Sequence, residues 1–177
     1  MNAPEHFQTE RLNLRVPRLE DASAIFRNWA QDPEVTRYLT WKPHTHLGET
    51  EEFLERCNRV WKAGTDFPYV ITFIKQDLPV GMIEIHLRGF ILEIGYALAR
   101  PEWGKGFMTE AVRKVIEFGL SQPDIYRLQG FCDVENIASA RVMEKTGMIY
   151  EGMLRRYVLH PNISITPRDV FLYAIVK

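Results

Sequence analysis

Twelve residues, Arg100-Pro101-Glu102-Trp103-Gly104-Lys105-Gly106-Phe107-Met108-Thr109-Glu110-Ala111, limit the fold more than any other stretch of the chain. Before them, Phe90 to Ala99 is short, apolar and rich in Ile, Leu and Tyr, and reads as a buried strand. After them, Met108, Ala111, Val112 and Val115 recur at three- and four-residue spacing, which is one face of a helix. The segment is therefore strand, glycine turn, helix. Two glycines allow a tight turn and remove the side chains that would keep a ligand from the amides. The first N–H groups of a helix lack intrahelical partners and sit at the positive end of its dipole, so a diphosphate fits there. A bare Gly-x-Gly also serves plain turn geometry, and the rest of the chain must decide between the two uses.

Two common phosphate patterns are excluded. A Walker loop needs glycine where Ala99 stands and Ser or Thr directly after Lys105, where Gly106 stands. A dinucleotide fingerprint needs a third glycine in place of Thr109 and an opening βαβ unit.

The length of 177 residues predicts one domain over 1–177, with a core that needs no disulfide. A net charge of -1 argues against direct electrostatic binding of nucleic acid. No apolar run reaches membrane-span length and Met1 to Glu10 is no signal peptide, so a cytoplasmic protein without membrane contact is expected. Cys57 and Cys132 form no CxxC, which suits a reducing compartment. Nothing in the sequence specifies an oligomeric state.

Along the chain, Thr9 to Val16 alternates as a half-buried strand. Asp21 is expected to cap a helix with Ala22, Ile25, Phe26 and Trp29 on one face, ended by Asp32-Pro33. A second helix is predicted from Glu49 to Ala63, then strands over Phe67 to Ile74, Val80 to Leu87 and Phe90 to Ala99. Asp77-Leu78-Pro79 and Arg88-Gly89 are their expected turns. After the loop and its helix come a strand from Arg127 to Asp133 and a helix from Ile137 to Thr146. Asn136 is that helix's expected N-cap and Gly147 its left-handed end. Met148 to Val158 and Asp169 to Val176 close the chain as strands. The order β-α-α-β-β-β-α-β-α-β-β argues a mixed α/β sheet, antiparallel in its middle.

The loop from Trp103 to Ala111 closely resembles the pyrophosphate loop of the GNAT acetyltransferases, most of all the branch of ribosomal-protein N-terminal acetyltransferases. Further blocks match in the right order: Thr9-Glu10-Arg11-Leu12-x-Leu14-Arg15, Asp32 to Tyr38, Gly95-Tyr96, Asn136-x-x-Ser139, Glu144-Lys145-x-Gly147 and Glu151-Gly152. The resemblance covers nearly the whole chain. It implies an α/β fold with a largely antiparallel sheet, helices on both faces, and a splayed parallel strand pair that holds acetyl-CoA. It also implies an amine acceptor, a protein or peptide N-terminus first, and otherwise a small-molecule amine such as an amino acid, antibiotic or polyamine. A CoA-binding sensor without turnover is the alternative of another class. Cofactor contacts carried over are Tyr96, Ala97 and Leu98 for the pantetheine arm, Trp103, Gly104, Lys105, Gly106, Phe107, Met108 and Thr109 for the diphosphate, and Asn136 and Ser139.

Two departures stand out. Pro101 occupies the first position of the family loop, with Arg100 one place early. Met143 aligns with the tyrosine that faces the thioester sulfur in many of these enzymes, and a thioether cannot donate a proton. Ser139 is then the available hydroxyl for the leaving thiolate. Glu93, the one charge in an apolar run, is the first candidate base, with Glu84 and His86 as runners-up; a carboxylate paired with arginine or facing solvent is the bland reading. Trp41, Phe67 and Tyr69 could wall an acceptor groove, Arg155-Arg156-Tyr157 could line it, and His44-x-His46 lacks a third metal ligand.

Overall fold

In the computed structural model, which describes residue 1 and residues 3–177, the N-terminal boundary is the first to differ from expectation. Leu12 and Leu14 alternate into β2 (Leu12–Arg15), but another strand, β1 (His6–Gln8), precedes it. Thr9, Glu10 and Arg11 make the turn between them rather than the start of a strand. Asp21 makes no cap bond. Its carboxylate accepts Arg15 Nη1 at 2.8 Å, Arg15 Nη2 at 2.7 Å and the Arg18 backbone N–H at 2.8 Å. Arg15 is buried, and a buried cation without a partner costs more than an uncapped helix end.

α1 (Ala22–Ile25) widens into a π turn over Phe26–Ala30 and buries Ala22, Ile25 and Trp29. The helix stops at Ala30, just before Asp32-Pro33 as expected, and Asp32 also starts the next one. Its side chain accepts the Glu34 N–H at 2.9 Å and caps α2 (Pro33–Thr36), with Pro33 pre-set for the first helical position. α3 (Leu47–Ala63) begins at Leu47 rather than Glu49 and ends on left-handed Gly64.

The strands that follow are β3 (Asp66–Phe73), β4 (Gln76–Arg88) and β5 (Ile91–Leu98). The β3–β4 turn is Ile74-Lys75, so Asp77-Leu78-Pro79 lies inside β4. Pro79 faces Thr72 where the register slips, because a residue without an N–H fits a ladder only at such an irregularity. Gly89-Phe90 turns β4 into β5, Gly89 taking φ +65°. α4 (Phe107–Ser121), β6 (Arg127–Asp133), α5 (Ile137–Lys145), β7 (Ile149–Val158) and β8 (Arg168–Val176) complete the chain, the last four close to the predicted spans.

The strands form one eight-stranded sheet in the order β1-β2-β3-β4-β5-β6-β8-β7. Every neighbour is antiparallel except β5 and β6. Period-two alternation gives each face its own core. On one face Val70 and Met82 pack with Ile25, Trp29, Leu54 and Cys57 from α1 and α3. On the other, Ile71, Ile83, Ile85, Leu92 and Ile94 pack with Met108, Ala111, Val112 and Val115 of α4 and with Ala140 and Met143 of α5. The sheet is thus mixed, largely antiparallel and covered on both sides. Among the described residues no helix is long and apolar enough to cross a membrane.

Candidate active site

The parallel pairing of β5 and β6 is short. It runs from Ile91 opposite Arg127 to Ile94 opposite Gly130, and then the strands part. Beyond that point β5 still pairs with β4 on its other side, up to Leu98 opposite Gly81. The Ala99 N–H donates to Val80 C=O at 2.8 Å, and in an antiparallel ladder the direction alternates residue by residue. Ala97 therefore points its amide at β4, while Tyr96 and Leu98 point theirs into the gap left by β6. Leu98 C=O accepts the Trp103 indole N–H at 2.7 Å, which leaves the Tyr96 and Leu98 N–H groups facing the opening.

Across the gap stands α5. Asn136 Oδ1 accepts the Ser139 N–H at 3.2 Å as its N-cap, and Gly147 ends the helix at φ +87°. The Tyr96 hydroxyl reaches over from β5 to Ser139 Oγ at 2.8 Å. Burial pushes that phenol above its ordinary pKa, so it keeps its proton. Met143 is buried where the strands part; a Cβ on Gly130 would lie 3.1 Å from its sulfur.

Between β5 and α4 the chain makes a 3-10 turn, Arg100–Glu102, then passes through Gly104 at φ +75° and Gly106 at φ +81°. The first helical bond runs from Glu110 N–H to Gly106 C=O, so the N–H groups of Phe107, Met108 and Thr109 have no helical partner. Lys105 pairs with Glu102 at 3.0 Å. The turn is tied down from the N-terminal hairpin. Glu110 accepts Thr9 Oγ1 at 2.6 Å, Arg11 N–H at 2.9 Å and Arg11 Nε at 2.6 Å. Arg11 also donates to Lys105 C=O at 3.2 Å and lies 4.5 Å over the Phe107 ring. These contacts hold the Glu110 carboxylate below its usual range against the opposing effect of burial.

A cavity of about 690 Å³ lies on the α1–α3 side of the sheet and reaches Tyr96, Asn136, Ser139 and Met143 at the opening. Its wall on β4 and β5 carries Glu84, His86 and Glu93. Cross-strand register explains the grouping, since Glu84 faces Gly95 and His86 faces Glu93. Gln129 Nε2 donates to Glu93 Oε2 at 2.9 Å, and Arg127 Nε donates to Gln129 Oε1 at 2.7 Å. Glu93 is thus held by a neutral amide, neither paired with arginine nor free in solvent. His86 Nδ1 lies 2.8 Å from Asp66 Oδ1, and its Nε2 lies 3.7 Å from Glu84 Oε2. Burial raises the Glu84 pKa, with His86 and Arg56 pulling the other way. Burial also works to raise Asp66, but the hydrogen bond with His86 and the charges of His86 and Arg88 outweigh it and hold Asp66 low.

Opposite this wall Trp41 packs 4.9 Å from His44, and both line the cavity with Phe53, Glu49, Glu52, Arg56 and Arg59. His44 Nδ1 bonds Thr50 Oγ1 at 2.7 Å, whereas His46 is exposed outside the cavity. Phe67 and Tyr69 sit in the core and do not line this cavity. Arg155, Arg156 and Tyr157 also lie outside the cavity lining, Tyr157 standing edge-on to Phe131. Three groups escaped the sequence reading: Glu110 as anchor of the turn, the Tyr96 phenol, and Asp66 behind His86. Only Glu110 left a trace, as the carboxylate one helical turn after Gly106.

A model of the acetyltransferase (GNAT) domain matches residues 11–149. An uncharacterised N-acetyltransferase of Bacillus licheniformis, p20, is 31% identical over 176 residues, covering 98% of this chain and 97% of that protein. Among solved structures, the microcin self-immunity acetyltransferase MccE in complex with acetyl-CoA and AMP superposes with TM-score 0.87 at 20% identity, covering 99% and 98% of the two chains. RimL, a ribosomal alpha-N-protein acetyltransferase in complex with coenzyme A, superposes with TM-score 0.84 at 22% identity, covering 97% and 98%.

Proposed function

The chain belongs to the GNAT acetyltransferase family, and from that premise we propose that it moves the acetyl group of acetyl-CoA to a primary amine, with a protein or peptide N-terminus as acceptor. The observation that carries this reading is the parting of β5 and β6 beside a cavity walled by carboxylates. Acetyl-CoA supplies an activated thioester, and the chain supplies position and proton traffic. The N–H groups of Gly104, Gly106, Phe107, Met108 and Thr109 seat the diphosphate, flanked by Trp103 and Lys105. Tyr96 and Leu98 pair with the pantetheine arm through their open amides, and Asn136 and Ser139 contact it from α5. Ala97 contributes only its side chain to the cavity, its amide being committed to β4.

The Tyr96 N–H also faces the place where an oxyanion develops, and such a donor lowers the barrier by roughly 3–4 kcal/mol. The amine must arrive neutral, so a carboxylate of the wall, Glu93 or Glu84, takes its proton. An α-amine, with an unperturbed pKa of about 7.7–8.0, asks less of that base than a lysine would. Ser139, held by the Tyr96 hydroxyl, returns a proton to the leaving thiolate in the role that Met143 cannot fill.

A small-molecule amine is the second reading, favoured by the charge of the cavity. Glu49, Glu52, Glu84 and Glu93 line it against Arg56 and Arg59, which suits a compact cation such as a polyamine. Thiol release from acetyl-CoA over peptides with free and blocked N-termini, and over polyamines, with mass spectrometry of the product, tests both. Release with free peptides and none with blocked ones is the expected result. Tight acetyl-CoA binding with no release for any amine would leave a sensor instead.

A further inference from the structure

We infer that Glu84, not Glu93, takes the proton from the acceptor amine, and that His86, oriented by Asp66, carries it to solvent. This rests on the acetyl-transfer reading above and deepens it.

Register separates the two carboxylates. Glu93 faces Gln129 within the closed part of the β5–β6 pair and is already held by that amide. Glu84 faces Gly95, the first β5 residue beyond the last parallel pair and the neighbour of the open Tyr96 amide. Gly95 has no side chain, and a Cβ built there meets nothing nearer than His86 Nε2 at 4.0 Å. The Glu84 carboxylate therefore lines the cavity with no side chain on its cross-strand partner to cover it.

Behind it the geometry sets a direction. Asp66, held low, is an acceptor only, so His86 must donate its Nδ1–H along the 2.8 Å contact. That fixes the tautomer and leaves Nε2 as a bare lone pair toward Glu84. An ionised carboxylate and a bare ring nitrogen are both acceptors, and their 3.7 Å separation is no hydrogen bond. Once Glu84 gains a proton, the pair becomes donor and acceptor. The amine N–H bond breaks as Glu84 O–H forms; that bond then breaks as His86 Nε2–H forms. The ring, its side chain 26% exposed, then gives the Nε2 proton to water and returns to the Nδ1–H tautomer. The charged and titratable groups facing Glu84 are Arg56 and Cys57 from α3, Asp66 from β3, His86 on its own strand and Glu93 on β5. Glu84 is the catalytic residue of this line; Asp66 is a positioning residue.

The test uses whichever acceptor the wild type acetylates, a short peptide with a free α-amine or spermidine. Glu84→Gln should lower kcat about 10²-fold at pH 7 while leaving the KM for acetyl-CoA within about twofold. The loss should shrink as pH rises toward the amine's own pKa. Asp66→Asn should lower kcat about tenfold, and the ring-nitrogen NMR shifts of His86 should report loss of the Nδ1–H tautomer that wild type shows. A Glu84→Gln enzyme within threefold of wild type at pH 7 overturns the assignment and returns the role to Glu93. A wild-type His86 protonated on Nε2 breaks the line even if Glu84 matters. Absence of transfer by wild type itself would instead overturn the acetyl-transfer reading, which these two failures leave standing.

Discussion

Gly106 shows how much one residue decides. At φ +81° it holds a conformation that costs an L-residue roughly 1–2 kcal/mol, yet a Cβ there would meet only Arg11 Nη2, at 3.6 Å. The cost of Gly106→Val is therefore backbone strain rather than collision, and it falls on the amides that follow. Acetyl-CoA affinity should drop at least ~tenfold by calorimetry while the protein stays folded, because convergence of those amides makes the anion seat. Glu84 carries the opposite kind of tension. Burial raises its folded pKa above the unfolded value of about 4.3, so folding favours the protonated form. Stability from this group is full at low pH and is lost as pH rises through the folded value. Glu84→Gln should thus melt higher than wild type at pH 8, with the difference vanishing near pH 4 in a thermal scan. The glycines were legible in the sequence because turn chemistry is local. The ranking of Glu84 over Glu93 was not, because it depends on which residue faces which across β4 and β5.

At the scale of elements, β6 and α5 were readable almost to the residue and α4 by its face, the helices having their own punctuation: Gly106 before α4, Asn136 before α5, Gly147 after it. Asn136→Ala should cost about 1 kcal/mol in denaturant unfolding. If Asn136 also touches the pantetheine arm, the KM for acetyl-CoA rises with it, a change that loss of a cap alone does not bring. Elements whose signals were claimed by partners on other elements misread. Asp21 serves Arg15 instead of a helix end, and Asp77 accepts Arg15 Nε at 2.7 Å from within β4 instead of making a turn. In both cases the buried Arg15 guanidinium outweighs the local preference of an aspartate; Asp21 lies six residues from it, but Asp77 lies 62 away, beyond any local window.

Over the whole molecule, several carboxylates and two imidazoles, His44 and His160, set the response to acid. Asp133 is fully buried, held low by Arg168, whose Nε lies 2.6 Å and Nη2 3.0 Å away, against the opposing effect of burial. Its stabilisation is full above the unfolded value of about 3.9 and is lost as pH falls through the lower folded value. His160 is buried nearby, its Nε2 3.8 Å from Asp133 Oδ2 and neither ring nitrogen hydrogen-bonded, and burial lowers its pKa. Charging it in the unfolded chain begins near pH 6.5, so stability should decline first below that pH and more steeply below about pH 4. Melting temperature against pH should show both steps; burial lowers His44 as well, so His160→Gln should shrink the first step and leave the share that His44 carries. The splayed pair itself was foreseen only through the resemblance, since no local signal says where two parallel strands stop pairing. The tie between Thr9, Arg11 and Glu110 has a consequence in time. Its ends are about a hundred residues apart, so a ribosome delivers the N-terminal hairpin long before α4 exists. The proposed phosphate seat can be completed only after more than half the chain has been synthesised and the earliest residues have come back to meet it. Capacity to hold the cosubstrate is therefore a late event in folding, and a nascent or N-terminally trimmed chain would carry the seat's glycines without its grip.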